Sequence, residues 1–216
     1  IRVIRYEGSF NFSAINNFGA AHAKGDYLLL LNNDTEMIHG DCLRQLLGPC
    51  QRPEVGITGA LLYYGDDTIQ HAGVVLGFGG IAGHAFIGEK RGDNGYFSRI
   101  ICRQDYSAVT AACLMVKTSV YREVGGMSED LRVAFNDIDF CMKVRKAGYL
   151  VVYNPGAELY HFESKSRGLE NTQEKIERFN GEIAQFLARW GEDIKAGDPY
   201  YNPNLSLDKA DFSLRL

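Results

Sequence analysis

Three short stretches of this 216-residue chain bring together residue types that could do chemistry. Asn32-Asn33-Asp34 follows the uncharged run YLLLL. Asp34 can offer a hard oxygen to a divalent cation, and the two amides can bind sugar hydroxyls or phosphate-bound water. The same residues can instead form an Asx turn that starts the next segment. In AFNDIDFCMKVRKAGY, Ala134 to Tyr149, Asn136 can cap a helix and Asp139, three residues on, can answer it as in a capping box. Asp137 then lies in the first turn, near the helix's positive end. Residues two apart on a helix point to different sides, so one carboxylate can reach a pocket while the other serves the helix. A carboxylate there can act as a general base if the proton moves late in the reaction, although helix-start chemistry alone also accounts for all three residues. In LYHFESKSRG, Leu159 to Gly168, His161 offers an imidazole to a metal, and Ser164, Lys165 and Arg167 offer a hydroxyl and two cations to a diphosphate. A lone strand-end histidine is more commonly a surface hydrogen-bonding residue.

Other candidates are weaker. GFGGIA, Gly77 to Ala82, has the G-x-G-x-x-A spacing of dinucleotide folds, but that mechanism needs a helix directly behind it. The next residues, GHAFIGEKRGDNGY, are glycine-rich and without helical period, so a redox cofactor site is not expected. Among the remaining histidines, His84 in this glycine-rich segment is the best candidate for a substrate contact. The net charge of −4 gives no sign of a broad nucleic-acid-binding surface, and no nucleic-acid partner is expected. No apolar run approaches the roughly 18 residues of a membrane helix. The cysteines, Cys42, Cys50, Cys102, Cys113 and Cys141, form no C-x-x-C pair and sit among apolar neighbours, so buried free thiols in a reducing cytosol are expected.

The elements that must carry these groups can be read from periodicity. Apolar residues at helical spacing mark a helix within Ser9–Lys24, and Tyr27–Leu31 reads as a strand buried on both faces. Asp41–Leu47 should be a short helix closed by Gly48-Pro49. Strands are expected at IRVIRY, Val55–Tyr64, Gly73–Leu76, Ser107–Val116, YLVVY and AELYHF, with a long mobile loop from Gly77 to Asp105. Thr118 can cap a helix ending at Gly125-Gly126, and Asn136–Ala147 reads as another. Ile176, Phe179, Ile183, Phe186 and Trp190 step by three and four along an amphipathic helix, and the tail from Gly191 should lie extended over the surface. Strands alternating with helices imply an α/β fold with a mainly parallel sheet.

In order along the chain, NFSAINNFGAAHAKGDYLLLLNNDTEM, QHAGVVLGFGG, SAVTAACLMV, GGMSEDLRVAFNDIDFCMKVRKAGY, HFESKSRG and DPYYNPNLSLDKADFSLR resemble the family-two glycosyltransferases of GT-A fold. The similarity is greatest to the bacterial branch that builds O-antigen and other surface polysaccharides. The resemblance implies roles. Asn32-Asn33-Asp34 stands at the family's D-x-D motif, whose last carboxylate holds the metal on the donor diphosphate; Asn32, in place of the first acid, would meet the sugar or ribose through an amide. Asn136-Asp137 stands at the E-D pair, whose Asp is the catalytic base, with Asn in place of Glu. His161 matches the histidine that completes the metal shell, with Arg167, Ser164 and Lys165 near the diphosphate. Asn136 and His84 would face the acceptor.

The implied activity is inverting transfer of a sugar from a nucleotide-diphosphate sugar to a hydroxyl of a saccharide or lipid-linked saccharide, assisted by Mn²⁺ or Mg²⁺. It would take place in the cytoplasm or at the inner face of the membrane, by a peripherally associated protein. Residues 1–170 would be a partial GT-A domain and 171–216 a helix and tail packed on it. Family members begin with a strand-helix-strand unit that binds the nucleotide base, and nothing before Ile1 supplies it. The expectation is therefore an N-terminally truncated chain, with a catalytically inactive sugar-nucleotide-binding module as the alternative.

Overall fold

The computed structural model describes residues 2–162 and 172–215. Ser164, Lys165 and Arg167 lie outside them. The chain runs α1 (Phe12–His22), β1 (Tyr27–Leu31), β2 (Thr35–Met37), α2 (Cys42–Cys50), β3 (Val55–Tyr63), β4 (Ile69–His71), β5 (Val74–Leu76), β6 (Ala82–His84), β7 (Gln104–Asp105), β8 (Cys113–Lys117), α3 (Thr118–Glu123), α4 (Asn136–Lys146), β9 (Leu150–His161) and α5 (Gln173–Ala196). The main sheet has the order β1-β8-β3-β9-β2, with β4 paired to β3 and β7 to β9. The α/β fold is as the sequence implies, but the sheet is mixed. Only β3 and β9 run parallel, because β8 enters between β1 and β3 in the opposite sense and β2 returns antiparallel along β9.

Alternation along the strands divides the core. Ile57, Leu61 and Tyr63 of β3 and Leu114 and Val116 of β8 face the larger cluster, shared with α3, α4 and α5. Ala60, Leu62, Cys113 and Met115 point the other way, onto Cys42, Leu46 and Cys50 of α2. All nine residues of β3 are buried, so the strand shielded on both faces is β3. β1 is at an edge of the sheet, and Leu31 at its end is 43% exposed. On α5, Phe186 and Trp190 are buried while Ile176, Phe179 and Leu187 stay partly exposed. Each of the two buried side chains is worth about 2–3 kcal/mol of apolar burial.

Other expectations are corrected in detail. Residues 2–7 form no strand. α2 runs through Gly48 and Pro49. The Gln45 carbonyl, which Pro49 cannot bond, accepts the Asn154 side-chain amide at 2.5 Å instead. Thr118 opens α3 from inside its first turn, and its hydroxyl donates to the Gly25 carbonyl at 2.7 Å. Residues 77–105 are an ordered insert: β6 pairs with β5, Ile100 is buried, and Phe86 is buried beneath the C-terminal tail. Phe212 of that tail stacks on Phe86 with centroids 4.4 Å apart. Gly73, at φ +101°, lets β4 turn into β5; a Cβ there would meet the Tyr106 ring at 2.5 Å. Cys102 is exposed, and the four other cysteines are buried free thiols. Burial pushes the Cys113 thiol up to about 12. No helix among the described residues is long and apolar enough to cross a membrane.

Candidate active site

A cleft of about 200 Å³ opens where the carboxyl ends of β1, β4 and β9 meet the start of α4, lined by Asn32, Gln70, His84, Thr110–Ala112, Asn136, Asp137 and His161 among others. Strand pairing builds one side. Thr35 of β2 lies opposite His161 of β9, which brings the preceding Asp34 against the imidazole. Residues 155–157 of β9 are looped out of its register with β3, which shifts from Ala60↔Asn154 to Leu61↔Glu158. The strand thereby reaches the rim with His161 facing in.

The imidazole's protonation is set by Gln70, a residue to which the sequence motifs assign no role. His161 Nδ1–H donates to Gln70 Oε1 at 2.7 Å, while Gln70 Nε2 donates to the His161 carbonyl at 3.3 Å. Nε2 is then the lone-pair nitrogen of the neutral ring, and it accepts from Asn32 Nδ2 at 3.1 Å. Asp34 Oδ1 lies 3.2 Å from the same Nε2. That oxygen is buried and has no hydrogen-bond partner among the described residues. The two observations agree, since with the proton on Nδ1 the ring has no hydrogen to offer that oxygen. A cation taking the Nε2 lone pair in place of the Asn32 amide, or a second proton on the ring, would satisfy it. Two neighbouring donors about 2.1 Å from one octahedral ion stand about 3 Å apart, so Asp34 and His161 fit a shared divalent cation. Among the described residues no cluster of three or more His, Cys, Asp or Glu could hold a metal. The turn after β1 is closed by a threonine hydroxyl, Thr35 Oγ1 donating to the Asn32 carbonyl at 2.8 Å. Asn33 is exposed and does not line the cleft.

The other side is helical. α4 starts after Phe135, whose φ of +59° is left-handed, and no side chain caps it. The capping box expected of Asn136 and Asp139 is absent. Asn136 is the first helical residue, and its side-chain amide donates to the Val133 carbonyl at 2.9 Å. Asp139, fully buried, accepts from Ser128 Oγ at 2.6 Å and from Trp190 Nε1 at 2.9 Å, tying α5 to α4. Asp137 faces the cleft. Its Oδ2 accepts from the Ala111 amide at 3.2 Å and its Oδ1 from the Ile138 amide at 2.9 Å.

Between the two sides lie two more histidines. His84 Nδ1 donates to the Gln70 carbonyl at 2.9 Å, and its ring stands edge-on to His71 at 4.8 Å. His71, wholly buried on β4, accepts from the Thr110 amide at 3.4 Å. Burial, and then the neighbouring His84 and His161, hold its pKa well below the ordinary histidine value. The sequence carried one signal for Gln70 and His71: two polar residues side by side just ahead of the apolar run AGVVL. A larger cavity of about 370 Å³ lies between α1 and α3, lined mainly by Ala, Gly and Leu and by no converging pair of carboxylate and imidazole.

This fold belongs to the GT-A class of glycosyltransferases. Over 89% of its length the chain resembles the crystal structure of GalNAc-T7 with UDP, GalNAc and Mn²⁺, covering 37% of that chain at a TM-score of 0.67 and 13% identity. Residues 1–123 match the glycosyl transferase family 2, and the chain belongs to that family. It is 51% identical over 215 residues to an uncharacterized protein of Sinorhizobium fredii, covering 99% of this chain and 24% of the relative. It is 35% identical over 213 residues to the O-antigen biosynthesis protein RfbC of Myxococcus xanthus, covering 98% of this chain and 16% of that protein. The chain thus spans a quarter or less of the length of these curated relatives.

Proposed function

We propose that this chain carries the catalytic cleft of an inverting glycosyltransferase, moving a sugar from a nucleotide-diphosphate donor to a hydroxyl of a saccharide acceptor. The acceptor is a growing surface polysaccharide or its lipid-linked precursor. One observation carries the reading: Asp137 and His161, distant in sequence, line one cleft, and Asp34 Oδ1, buried and without a hydrogen-bond partner among the described residues, lies against the imidazole.

Asp34 and His161 are the residues that would hold a divalent cation, which supplies positive charge to the departing diphosphate. Gln70 keeps the His161 Nε2 lone pair turned to that position by accepting the Nδ1 proton. Asn32 offers an amide to the sugar or ribose, and Lys165 and Arg167 would neutralise phosphate oxygens. Asp137, held by two backbone amides, takes the proton of the acceptor hydroxyl as that oxygen bonds the anomeric carbon. The bond from the anomeric carbon to the diphosphate breaks in the same displacement, and its electron pair leaves on phosphate. One displacement without an enzyme nucleophile inverts the anomeric centre.

Calorimetry with a nucleoside diphosphate, with and without Mn²⁺, tests the donor half. Binding should need the metal and disappear in Asp34→Ala. A transfer assay with the corresponding nucleotide sugar and a saccharide acceptor tests the rest. Binding without transfer to any acceptor would make the chain a sugar-nucleotide-binding module, and release of free sugar at a rate indifferent to acceptor would make it a hydrolase.

A further inference from the structure

Glu182, near the middle of α5, is 3% exposed. Burying a carboxylate is costly unless its oxygens are satisfied, and an apolar residue would serve simple helix packing better. Both oxygens of Glu182 hold backbone: Oε1 accepts from the Val133 amide at 2.8 Å and Oε2 from the Ala134 amide at 3.0 Å. Successive amides leading into a left-handed residue form a concavity that suits an anion, and here the anion is a side chain of another helix. The left-handed residue is Phe135, whose ring stacks on Phe179 at 5.8 Å and Phe186 at 5.1 Å, both also on α5. A bulky residue at positive φ persists only where its surroundings impose it. Directly after it come Asn136, bonded back to Val133, and Asp137.

We propose that Glu182 is a positioning residue for the transfer reaction. Through Val133 and Ala134 it fixes the left-handed turn at Phe135, and so aims Asn136 and Asp137 into the cleft on the acceptor side. The hold of Glu182 on the turn stands on geometry alone; its catalytic consequence rests on the function proposed above.

The test compares Glu182→Ala and Glu182→Gln with Trp190→Phe, which removes a different hydrogen bond between α5 and α4. Amide hydrogen exchange at Val133 and Ala134 should quicken in Glu182→Ala, recover in part in Glu182→Gln, and stay unchanged in Trp190→Phe. In transfer assays Glu182→Ala should lose about 10²-fold in kcat, the usual cost of a catalytic group displaced by about 1 Å, with the donor KM unchanged. Glu182→Gln, which still accepts one amide, should regain most of that loss. Unchanged exchange in Glu182→Ala would overturn the proposal. So would turnover falling in step with melting temperature across all three variants, since that pattern belongs to general destabilisation. A parent chain that transfers no sugar would sink the functional reading, and hydrogen exchange would still decide whether Glu182 holds the turn.

Discussion

On the strand side of the cleft, Asp34 and His161 are placed by the pairing of β2 with β9 and locked by side chains: Gln70 on His161, Asn32 on the same ring. On the helix side, Asp137 is held by the backbone amides of Ala111 and Ile138. The turn that launches its helix is held in turn by Glu182, 45 positions downstream of Asp137. The strand side is therefore held directly, by sheet pairing and side-chain bonds to the groups themselves, and it is the side to which the proposal gives the donor's charge. The helix side is held indirectly, through a turn that α5 grips, so a change on α5 should re-aim it. A binding group tolerates no misplacement of its ligand, whereas a proton acceptor must match whichever acceptor hydroxyl arrives. This division predicts that donor affinity and turnover respond to different substitutions.

The largest separation should come from Asp137→Asn. A positioned base is worth about 10²–10⁴ in rate, so turnover should fall by that factor while nucleotide binding by calorimetry is kept. Equal losses in both would mean that the two sides are not separable and that Asp137 serves binding. Next in size is Gln70→Leu, which leaves the His161 ring without its orienting acceptor. Loss of such a supporting hydrogen bond typically costs 10–100-fold in metal affinity. The Mn²⁺ concentration for half-maximal activity should rise by that factor, with kcat at saturating metal little changed. A fall in kcat without any shift in the metal titration would assign Gln70 to the helix side instead.

Legibility in the sequence divides along the same line. Asp34 and His161 sit at strand ends, where an α/β sheet gathers ligands, so their place at the rim of the sheet was legible from position and residue type. Asp137 was legible as a first-turn carboxylate. What Asp139 does was not, because nothing local says that Ser128 and Trp190 will close on it. The partners of Gln70 and Glu182 were illegible for a related reason: each acts on a partner 91 or about 49 positions away, and a single chain carries no mark of such pairings. The sheet's mixed sense was missed because apolar runs report burial but not direction. The insert at 77–105 read as loop since part of its order comes from Phe86 meeting Phe212 of a tail more than a hundred residues later.

The smallest effect tests the residue that joins the two sides. His71 follows Gln70 on β4, and it accepts the amide of Thr110, whose neighbour Ala111 holds Asp137. It must be neutral to accept, and burial keeps its pKa well below the ordinary value of 6.5 in the folded state. The unfolded chain therefore binds a proton that the folded chain refuses. Stability is retained above about pH 6.5 and lost as pH falls below it, by up to ~1.4 kcal/mol per pH unit. In His71→Gln the side-chain oxygen can still accept from Thr110 and nothing titrates. Urea denaturation between pH 7 and pH 5 should therefore show the parent losing stability more steeply than the variant, by about one proton. Coincident slopes would mean that folded His71 takes up a proton between pH 7 and pH 5 just as the unfolded chain does, and then its bond to the Thr110 amide could not hold through that range. A steeper parent slope would show that the fold keeps His71 neutral, so that its bond to Thr110 ties β4, which carries Gln70, to the segment whose Ala111 amide holds Asp137.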